Sequence, residues 1–204
     1  MSYLLRFADL PLHGIAAVGV LLVYALESEI RFGSKARSMT AGPSDRRSTL
    51  VLSVSAAVPV LGFVLAIRSF LPAWLRDFGA MPGMPATAWV GVALGFIGLL
   101  VRLWAVFTLR ERYTRTLLVQ QRHAIERNGP YRFVRHPGYL GSLLCLNGIA
   151  LAGGNAIVFA ASMAATFAAY VYRIHVEEAM LVAAFGAPYE NYRREVRAVL
   201  PLVW

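Results

Sequence analysis

The chain has 204 residues, of which 58% are hydrophobic and only 15% are charged, and it carries a net charge of +9. A composition this apolar argues against a water-facing globular fold and makes the lipid bilayer the expected solvent. The single cysteine excludes an intramolecular disulfide and a cysteine-rich metal site.

Five apolar runs follow one another along the chain, and we expect an all-α integral membrane protein of about five transmembrane helices. Crossing about 30 Å of hydrocarbon takes roughly 20 helical residues, and the first three runs meet or nearly meet this length. The last two are shorter and are separated only by a Gly-Gly-Asn sequence, which predicts a tight helical hairpin. The runs comprise residues 10–26, 50–71, 88–109, 137–152 and 156–172.

The positive residues predict the orientation of these helices. Sixteen of the 20 lysine and arginine residues follow the first, third and fifth runs, which places the N-terminus outside and the C-terminus in the cytosol. The net charge therefore reflects topology and attraction to anionic lipid rather than nucleic-acid binding. Arginine exceeds lysine by 19 to 1, a bias typical of GC-rich bacterial genomes, so we expect the bacterial inner membrane.

The two parts of the chain differ in their polar residues. Residues 1–86 contain two apolar runs and a basic loop, without recognisable chemistry. Residues 87–204 place polar side chains where lipid makes them costly and end in a polar cytoplasmic segment of about 30 residues, for which a helical structure is expected. We therefore expect the functional core in residues 87–204.

The densest polar cluster spans residues 129–141 and is organised by Pro137. Proline is favoured at the first helical position, so a helix is expected to begin at Pro137 with His136 as its N-cap. The N–H groups of such a helix start form an anion site, to which His136 and Tyr139 can add hydrogen bonds. The alternative is a helix start with interfacial arginine and tyrosine anchors.

A second cluster lies at the end of the fifth run. Arg173 and Glu177 have the i, i+4 spacing of an ion pair on one helix face, and Glu178 adds a second carboxylate. Two carboxylates at a membrane boundary require a neutralising cation, a solvated helix end or the ammonium group of a ligand. A ligand held here by its ammonium group and at His136 by its carboxylate would have the charges of an amino acid.

Arg102 lies inside the third run, where a charge usually faces the helix bundle. Its partner could be an acidic headgroup, an acceptor carboxylate or Glu111, or its side chain could snorkel to the interface. His13 and His175 are expected to be structural residues of the interface. The four scattered histidines show no metal-ligand spacing, so no metal is expected.

The C-terminal segment carries Tyr189, Tyr192 and Val196 at helical spacing, followed by Leu200-Pro201. This pattern predicts an interfacial helix that ends near the proline. Such a helix could cover a site at the membrane face and exclude water from it.

Several short motifs recur in a fixed order within the last 82 residues. They are His-Ala-Ile-Glu at 123–126, Gly-Pro-Tyr at 129–131, Arg-His-Pro-Gly-Tyr-Leu-Gly at 135–141, Arg173 four residues before Glu177-Glu178, and Phe-Gly-Ala-Pro-Tyr-Glu-Asn-Tyr at 185–192. In this order and spacing the chain resembles the C-terminal half of the isoprenylcysteine carboxyl methyltransferase family, which is related to the membrane phospholipid methyltransferases.

The resemblance implies an S-adenosylmethionine-dependent methyltransferase with a lipophilic acceptor. The implied reaction is carboxyl O-methylation of an isoprenylcysteine-like, isoprenoid or lipid substrate at the cytoplasmic membrane face. Arg173 matches an arginine assigned to the acceptor, and Glu126 departs from the usual apolar residue at its position. The residues matching the family's cofactor site are His123, Ala124, Ile125, Glu126, Tyr131, His136, Pro137, Gly138, Tyr139 and Glu177.

Two other functions remain open from the sequence. One is an NADPH-dependent membrane lipid reductase of similar architecture, although residues 177–178 and 185–186 favour methyl transfer. The other is a lipid-binding membrane protein without turnover. For methyl transfer, a carboxylate acceptor requires no general base, whereas an amine acceptor would require one, and Glu178 is then the candidate.

Overall fold

The computed structural model describes residues 11–32, 47–67, 70–109 and 125–199, with side chains in the first range described for residues 11–27. Within these ranges the chain is helical, with one short 3₁₀ helix at Gly129–Arg132. The α-helices are α1 (Leu12–Phe32), α2 (Ser48–Ile67), α3 (Ala73–Phe78), α4 (Ala86–Leu109), α5 (Pro137–Ala152), α6 (Ala156–Phe185) and α7 (Ala187–Glu195).

Three of these helices, α2, α4 and α6, are long and apolar enough to cross a membrane. The apolar part of α1 and the whole of α5 are shorter. Large apolar side chains of α4 point outward, including Phe96, Trp104 and Phe107, each about half exposed. An exposed apolar face of this extent is expected where lipid rather than water surrounds the helices.

Helices α4 and α5 form the closest contact of the bundle because glycines line both sides of it. A Cβ atom added to Gly98 would lie 2.4 Å from the backbone nitrogen of Cys145 and 2.6 Å from the carbonyl oxygen of Gly141. Small residues allow this approach of two backbones, which is a common basis of helix association in membranes. Cys145 is buried at this contact, as expected for a small apolar residue.

A buried charge pair links α1 to this contact. The guanidinium of Arg102 donates to the carboxylate of Glu27 and, at 2.7 Å, to the hydroxyl of Ser142. The structure pairs Arg102 with a carboxylate on α1, a partner that the sequence did not suggest. Glu111 lies outside the described residues.

Helix α6 is longer than the apolar run that predicts it. Its 30 residues span about 45 Å, and it continues past Tyr172 to Phe185. The apolar run ends before Arg173, but arginine, glutamate and alanine favour helix, so the helix continues. The helix ends at Gly186, whose φ of 58° suits glycine.

Residues 153–155 separate α5 from α6, and Asn155 begins α6. Its side-chain oxygen accepts hydrogen bonds from the backbone N–H groups of Ile157 and Val158, at 3.1 and 3.0 Å. Its side-chain nitrogen donates to the carbonyl of Leu75 on α3 at 2.9 Å. The short α3, which no hydrophobic run predicts, is thereby fixed against the start of α6.

The C-terminal helix is shorter than its side-chain pattern predicts. Helix α7 ends at Glu195, and Val196 is extended rather than helical. The reason is a backbone pairing, in which the N–H groups of Arg135 and His136 donate to the carbonyls of Arg197 and Ala198, at 2.8 and 2.9 Å. These bonds attach the chain after α7 to the segment that leads into α5.

Candidate active site

Four of the residues singled out from the sequence meet between the start of α5 and the second half of α6. The hydroxyl of Tyr139 donates to Glu177 Oε2 at 2.5 Å and accepts from Arg173 Nε at 3.1 Å. His136 Nδ1 lies 3.7 Å from the same Glu177 oxygen, and the imidazole ring stacks on Tyr139 with 5.4 Å between ring centroids. These contacts join the two clusters into one polar site, which we call the α5–α6 site.

The local sequence explains how the α5–α6 site is built. Pro137 occupies the first turn of α5, and His136 is its N-cap residue, as expected. The His136 ring makes no side-chain cap, because it is turned toward the glutamates of α6. Gly138 contributes its carbonyl, which accepts from the hydroxyl of Ser142 at 2.9 Å. Pro137 is fully buried beneath the site.

The second glutamate of α6 has a different set of partners. Glu178 Oε1 lies 2.6 Å from Arg135 Nη2 and 3.2 Å from His136 Nε2, and its Oε2 lies 3.1 Å from Arg193 Nε. Arg135 precedes α5, whereas Arg193 belongs to α7. Glu178 therefore ties three parts of the chain together, while Glu177, with 23% of its side chain exposed, faces Tyr139.

Arg173 is reached by side chains from the N-terminal part of the chain. Only 2% of Arg173 is exposed, and its Nη1 donates to the hydroxyls of Ser48 and Thr49 at 2.6 and 2.9 Å. Both hydroxyls lie at the beginning of α2. Because 125 residues separate Ser48 from Arg173, no local pattern in the sequence could have indicated this contact.

Helix α7 covers the segment that precedes α5. Tyr189 and Tyr192 are both buried, and the Tyr192 hydroxyl donates to the carbonyl of Tyr131 at 2.6 Å. Burial raises the pKa of Tyr192 to about 12. The guanidinium of Arg127 lies over the Tyr192 ring and reaches Glu195 at 3.0 Å. The C-terminal segment is thus attached by a buried tyrosine and by an exposed ion pair.

The other predicted cofactor residues lie on this same segment or before it. Glu126 Oε1 accepts from the backbone and side-chain nitrogens of Asn128, at 3.1 and 2.9 Å. This bonding gives Glu126 a role in the turn before Gly129 and explains why a polar residue is accommodated there. Ile125 is half-buried beside it. His123 and Ala124 lie outside the described residues.

The two histidines expected to be structural each contact a neighbouring group. The ring of His13 meets the edge of Trp89, with 6.4 Å between centroids. His175 Nδ1 lies 2.7 Å from the carbonyl of Val171, one turn earlier on α6. Within the part of the chain that the structure describes, no group of three or more His, Cys, Asp or Glu side chains is arranged to hold a metal ion.

The arrangement of helices has a counterpart among solved structures. The chain is similar to a solved eukaryotic intramembrane Ras methyltransferase, ICMT (isoprenylcysteine carboxyl methyltransferase), with a TM-score of 0.65 and 22% identity, over 94% of this chain and 68% of that one. The phospholipid methyltransferase family model matches residues 86–188. The chain belongs to the phospholipid methyltransferase family, and it is a membrane protein.

Curated relatives carry one common name. The probable protein-S-isoprenylcysteine O-methyltransferase of Oryza sativa subsp. indica is 30% identical over 118 residues, which are 57% of this chain and 62% of the relative. Protein-S-isoprenylcysteine O-methyltransferase A of Arabidopsis thaliana is 27% identical over 146 residues, which are 69% of this chain and 74% of the relative. The match thus spans less than two thirds of the rice protein. The family resemblance predicted from the sequence is confirmed.

Proposed function

We propose that this protein is an S-adenosylmethionine-dependent methyltransferase that O-methylates the carboxyl group of an isoprenylcysteine-like, isoprenoid or related lipid acceptor at the cytoplasmic membrane face. The observation that carries the proposal is the contact of His136 and Tyr139 with Glu177 and Arg173. It brings an anion, a cation and a helix N-terminus together at one end of the bundle. The names of the rice and Arabidopsis relatives support the reaction class.

The residues of the α5–α6 site fit the amino-acid end of S-adenosylmethionine. The partly exposed carboxylate of Glu177 suits an ammonium group, and the N-terminus of α5 suits a carboxylate. Bound there, the cofactor supplies a methyl group on a positively charged sulfur. On the family resemblance, the remaining cofactor residues are His123, Ala124, Ile125, Glu126, Tyr131, Pro137 and Gly138.

Arg173 is proposed to bind the acceptor. A guanidinium group matches a carboxylate in a two-point hydrogen bond, and a buried one holds it more firmly than an exposed one. Fixing the acceptor in line with the methyl group is the main contribution expected of the protein, because the displacement needs no covalent intermediate. Arg173 would thereby act as the catalytic residue of the site.

The surroundings of Glu178 support a carboxylate acceptor over an amine. An amine acceptor must lose a proton, for which Glu178 was the candidate base. Glu178 is held by the guanidinium groups of Arg135 and Arg193, which stabilise its charged form and make it a poor proton acceptor. A carboxylate acceptor arrives already ionised and requires no such base.

The membrane arrangement that accompanies this function has five spans, with α1 and α5 added to α2, α4 and α6, and α5 and α6 as a tight hairpin. The 16 residues of α5 extend about 24 Å, less than the hydrocarbon thickness. This difference favours a position of His136 below the membrane surface. The N-terminus is proposed to lie outside and the C-terminus in the cytosol of a bacterial inner membrane, with residues 87–204 as the methyltransferase core and residues 1–86 as a separate helical part.

The test is a calorimetric titration of the purified protein in detergent with S-adenosylhomocysteine. We expect saturable binding that weakens at least about tenfold in Glu177→Gln, the loss expected for one charge-assisted hydrogen bond. Glu190→Gln on the exposed face of α7 is the matched control and should bind like the wild type. Absence of saturable binding to the wild type contradicts the proposal.

Two further measurements distinguish methyl transfer from the two alternative functions. Incubation with labelled S-adenosylmethionine and total lipid, followed by mass analysis, should identify a methyl ester. Thermal protection by NADPH but not by S-adenosylhomocysteine would instead indicate a reductase. Binding of S-adenosylhomocysteine without methylation of any lipid or prenylated cysteine would indicate a lipid-binding protein.

A further inference from the structure

Helix α3 lies at the end of the bundle away from the α5–α6 site. It connects α2 to α4, both of which are long and apolar enough to cross a membrane. It also contacts Asn155 at the start of α6, 18 residues before Arg173. At about 1.5 Å per residue these two positions lie about 27 Å apart along α6, close to the roughly 30 Å thickness of the hydrocarbon. Helix α3 and the α5–α6 site therefore lie at opposite ends of one membrane crossing.

Hydrogen bonds attach one face of α3 to the turn between α5 and α6. The carbonyl of Leu75 accepts from the side chain of Asn155 at 2.9 Å. After the helix ends, the carbonyl of Gly79 accepts from the N–H of Ala156 at 2.7 Å. The approach at Gly79 is close, since an added Cβ atom would lie 2.5 Å from the side chain of Asn155. These contacts fix which side of α3 faces the bundle and which sides face outward.

A second face of α3 carries large aromatic side chains that the described part of the chain leaves uncovered. Trp74 and Phe78 are four residues apart, so they lie on one side of the helix, and they are 69% and 87% exposed. Phe70, just before α3, is 67% exposed. Arg76 lies about 160° round the helix from both and pairs with the exposed Asp77. We call Phe70, Trp74 and Phe78 the aromatic face.

The aromatic face continues the outward apolar surface of the long helices. Trp89 and Val90, near the start of α4 and at the same end of the bundle, are also about half exposed. An apolar surface of this extent is costly in water. Tryptophan and other amphipathic rings are concentrated where lipid headgroups meet hydrocarbon, whereas charged side chains such as Arg76 favour the aqueous side.

We infer that α3 is an interfacial anchor, whose aromatic face lies at the headgroup boundary of the leaflet opposite the α5–α6 site. Because α3 is bonded to the turn between α5 and α6, the anchor holds this turn at that boundary. Helix α5 is only about 24 Å long, so the hydrocarbon that it does not span lies at its other end, where His136 begins the site. This second step rests on the membrane arrangement proposed above, whereas the position of α3 does not.

The test measures the depth of single nitroxide labels on the full-length protein in vesicles of phosphatidylethanolamine and phosphatidylglycerol. Cys145 is the one cysteine of the chain, so Cys145→Ala provides the background. Labels are attached in Phe78→Cys and, as the matched control on the polar face, in Arg76→Cys. Collision with oxygen reports lipid, and collision with a water-soluble nickel chelate reports water. We expect the label at position 78 about 5–10 Å into the boundary and the label at position 76 in water.

A third label tests whether the anchor sets the depth of the site. Phe133→Cys places it on an exposed residue of the segment before α5. Without the anchor, the shortfall of α5 should divide between its two ends. Replacing both Trp74 and Phe78 by serine should therefore move this label about 3 Å toward the water, half the difference between about 24 and about 30 Å. Arg76→Ser is the control and should leave its depth unchanged.

Equal collision of the nickel chelate with the labels at positions 78 and 76 overturns the inference. Shielding of the label at position 78 from both oxygen and nickel also overturns it, because protein would then cover the aromatic face. Spectral broadening that disappears on dilution with unlabelled protein would identify that cover as a second copy. An unmoved label at position 133 in the serine variant overturns the anchoring of the site.

Binding of S-adenosylhomocysteine is measured on the same proteins as an independent result. Labelled proteins that bind it like the wild type have an intact α5–α6 site, so their label depths describe the native fold. Absence of binding to the wild type contradicts the proposed function and leaves the position of α3 to be decided by the labels at positions 76 and 78.

Discussion

Tyr139 and Glu177 are joined by a hydrogen bond of 2.5 Å from the phenol to the carboxylate. The same phenol oxygen accepts from Arg173 at 3.1 Å. Tyr139 thereby stands between the proposed cofactor-binding anion and the proposed acceptor-binding cation. A hydroxyl can link the two because it donates and accepts at once, and it keeps them from neutralising each other directly.

Replacing Tyr139 by phenylalanine should lower kcat/KM by about 10- to 100-fold, because two hydrogen bonds to charged groups are lost. The ring that stacks on His136 and packs against Tyr170 is retained, so the fold should persist. The assay is methyl transfer to the prenylated cysteine. Tyr172→Phe on the more exposed face of α6 is the control and should have wild-type activity. Equal activity of both variants would remove Tyr139 from the site.

Replacing Glu178 by glutamine should destabilise the protein by about 3 kcal/mol, because two arginines lose a largely buried partner. The C-terminal segment should also become accessible to trypsin, since Arg193 belongs to α7. The measurements are thermal unfolding in detergent and limited proteolysis. Glu177→Gln, by comparison, should retain the thermal stability of the wild type while losing S-adenosylhomocysteine binding. The reverse pattern would contradict the division of roles between the two glutamates.

Alkaline pH should detach α7, because burial raises the pKa of Tyr192 from 10.0 to about 12. The folded state holds the proton more tightly than the unfolded state, so the stabilisation is complete below pH 10 and is lost as the pH rises through about 12. The phenolate absorbance that appears near pH 12 should be smaller by one tyrosine in Tyr192→Phe than in the wild type. A transition near pH 12 of unchanged amplitude in Tyr192→Phe, with the loss falling near pH 10 instead, would show that Tyr192 is not protected.

The glycine contact of α4 with α5 gives a prediction of stability. Gly98→Ala should be strongly destabilising, because its methyl group would lie 2.4 Å from the backbone nitrogen of Cys145. Gly95→Ala is the matched control on the same helix. The methyl group there would lie 3.5 Å from the nearest atom, an ordinary contact, and alanine favours helix by about 1 kcal/mol. The midpoint temperature of thermal unfolding should therefore be much higher for Gly95→Ala than for Gly98→Ala. The opposite order would contradict the observed packing of α4 against α5.

Local sequence rules were sufficient for the elements that depend on neighbours in the chain. Pro137 indicated the start of α5, and the i, i+4 spacing of Arg173 and Glu177 placed both on one face of α6. The apolar runs located the long helices to within a few residues, except that α1 continues six residues beyond its run to Phe32 and α6 continues well beyond Tyr172. An apolar run in the sequence ends at the first charged residue, whereas the backbone hydrogen bonds of a helix continue past it.

The contacts that complete the site depend on distance in space and could not be predicted in this way. Ser48 meets Arg173 across 125 residues, and Glu27 meets Arg102 across 75. Neither pair has a spacing rule, because each depends on which helices become neighbours. The prediction that the C-terminal helix reaches Leu200 was wrong for a related reason. The helix ends at Glu195 because Arg197 and Ala198 pair with the residues before α5, which is a long-range backbone contact.

The length of α6 has a consequence for how this protein could evolve new acceptors. Arg173 and Glu177 lie one turn apart on a single uninterrupted helix, about 6 Å along its axis. No hinge separates them, so helix geometry sets the distance between the proposed acceptor-binding residue and the proposed cofactor-binding residue. Accommodation of a larger or smaller acceptor must then come from the walls contributed by other helices. Insertion of one residue between them would rotate Glu177 by about 100° and separate the pair completely.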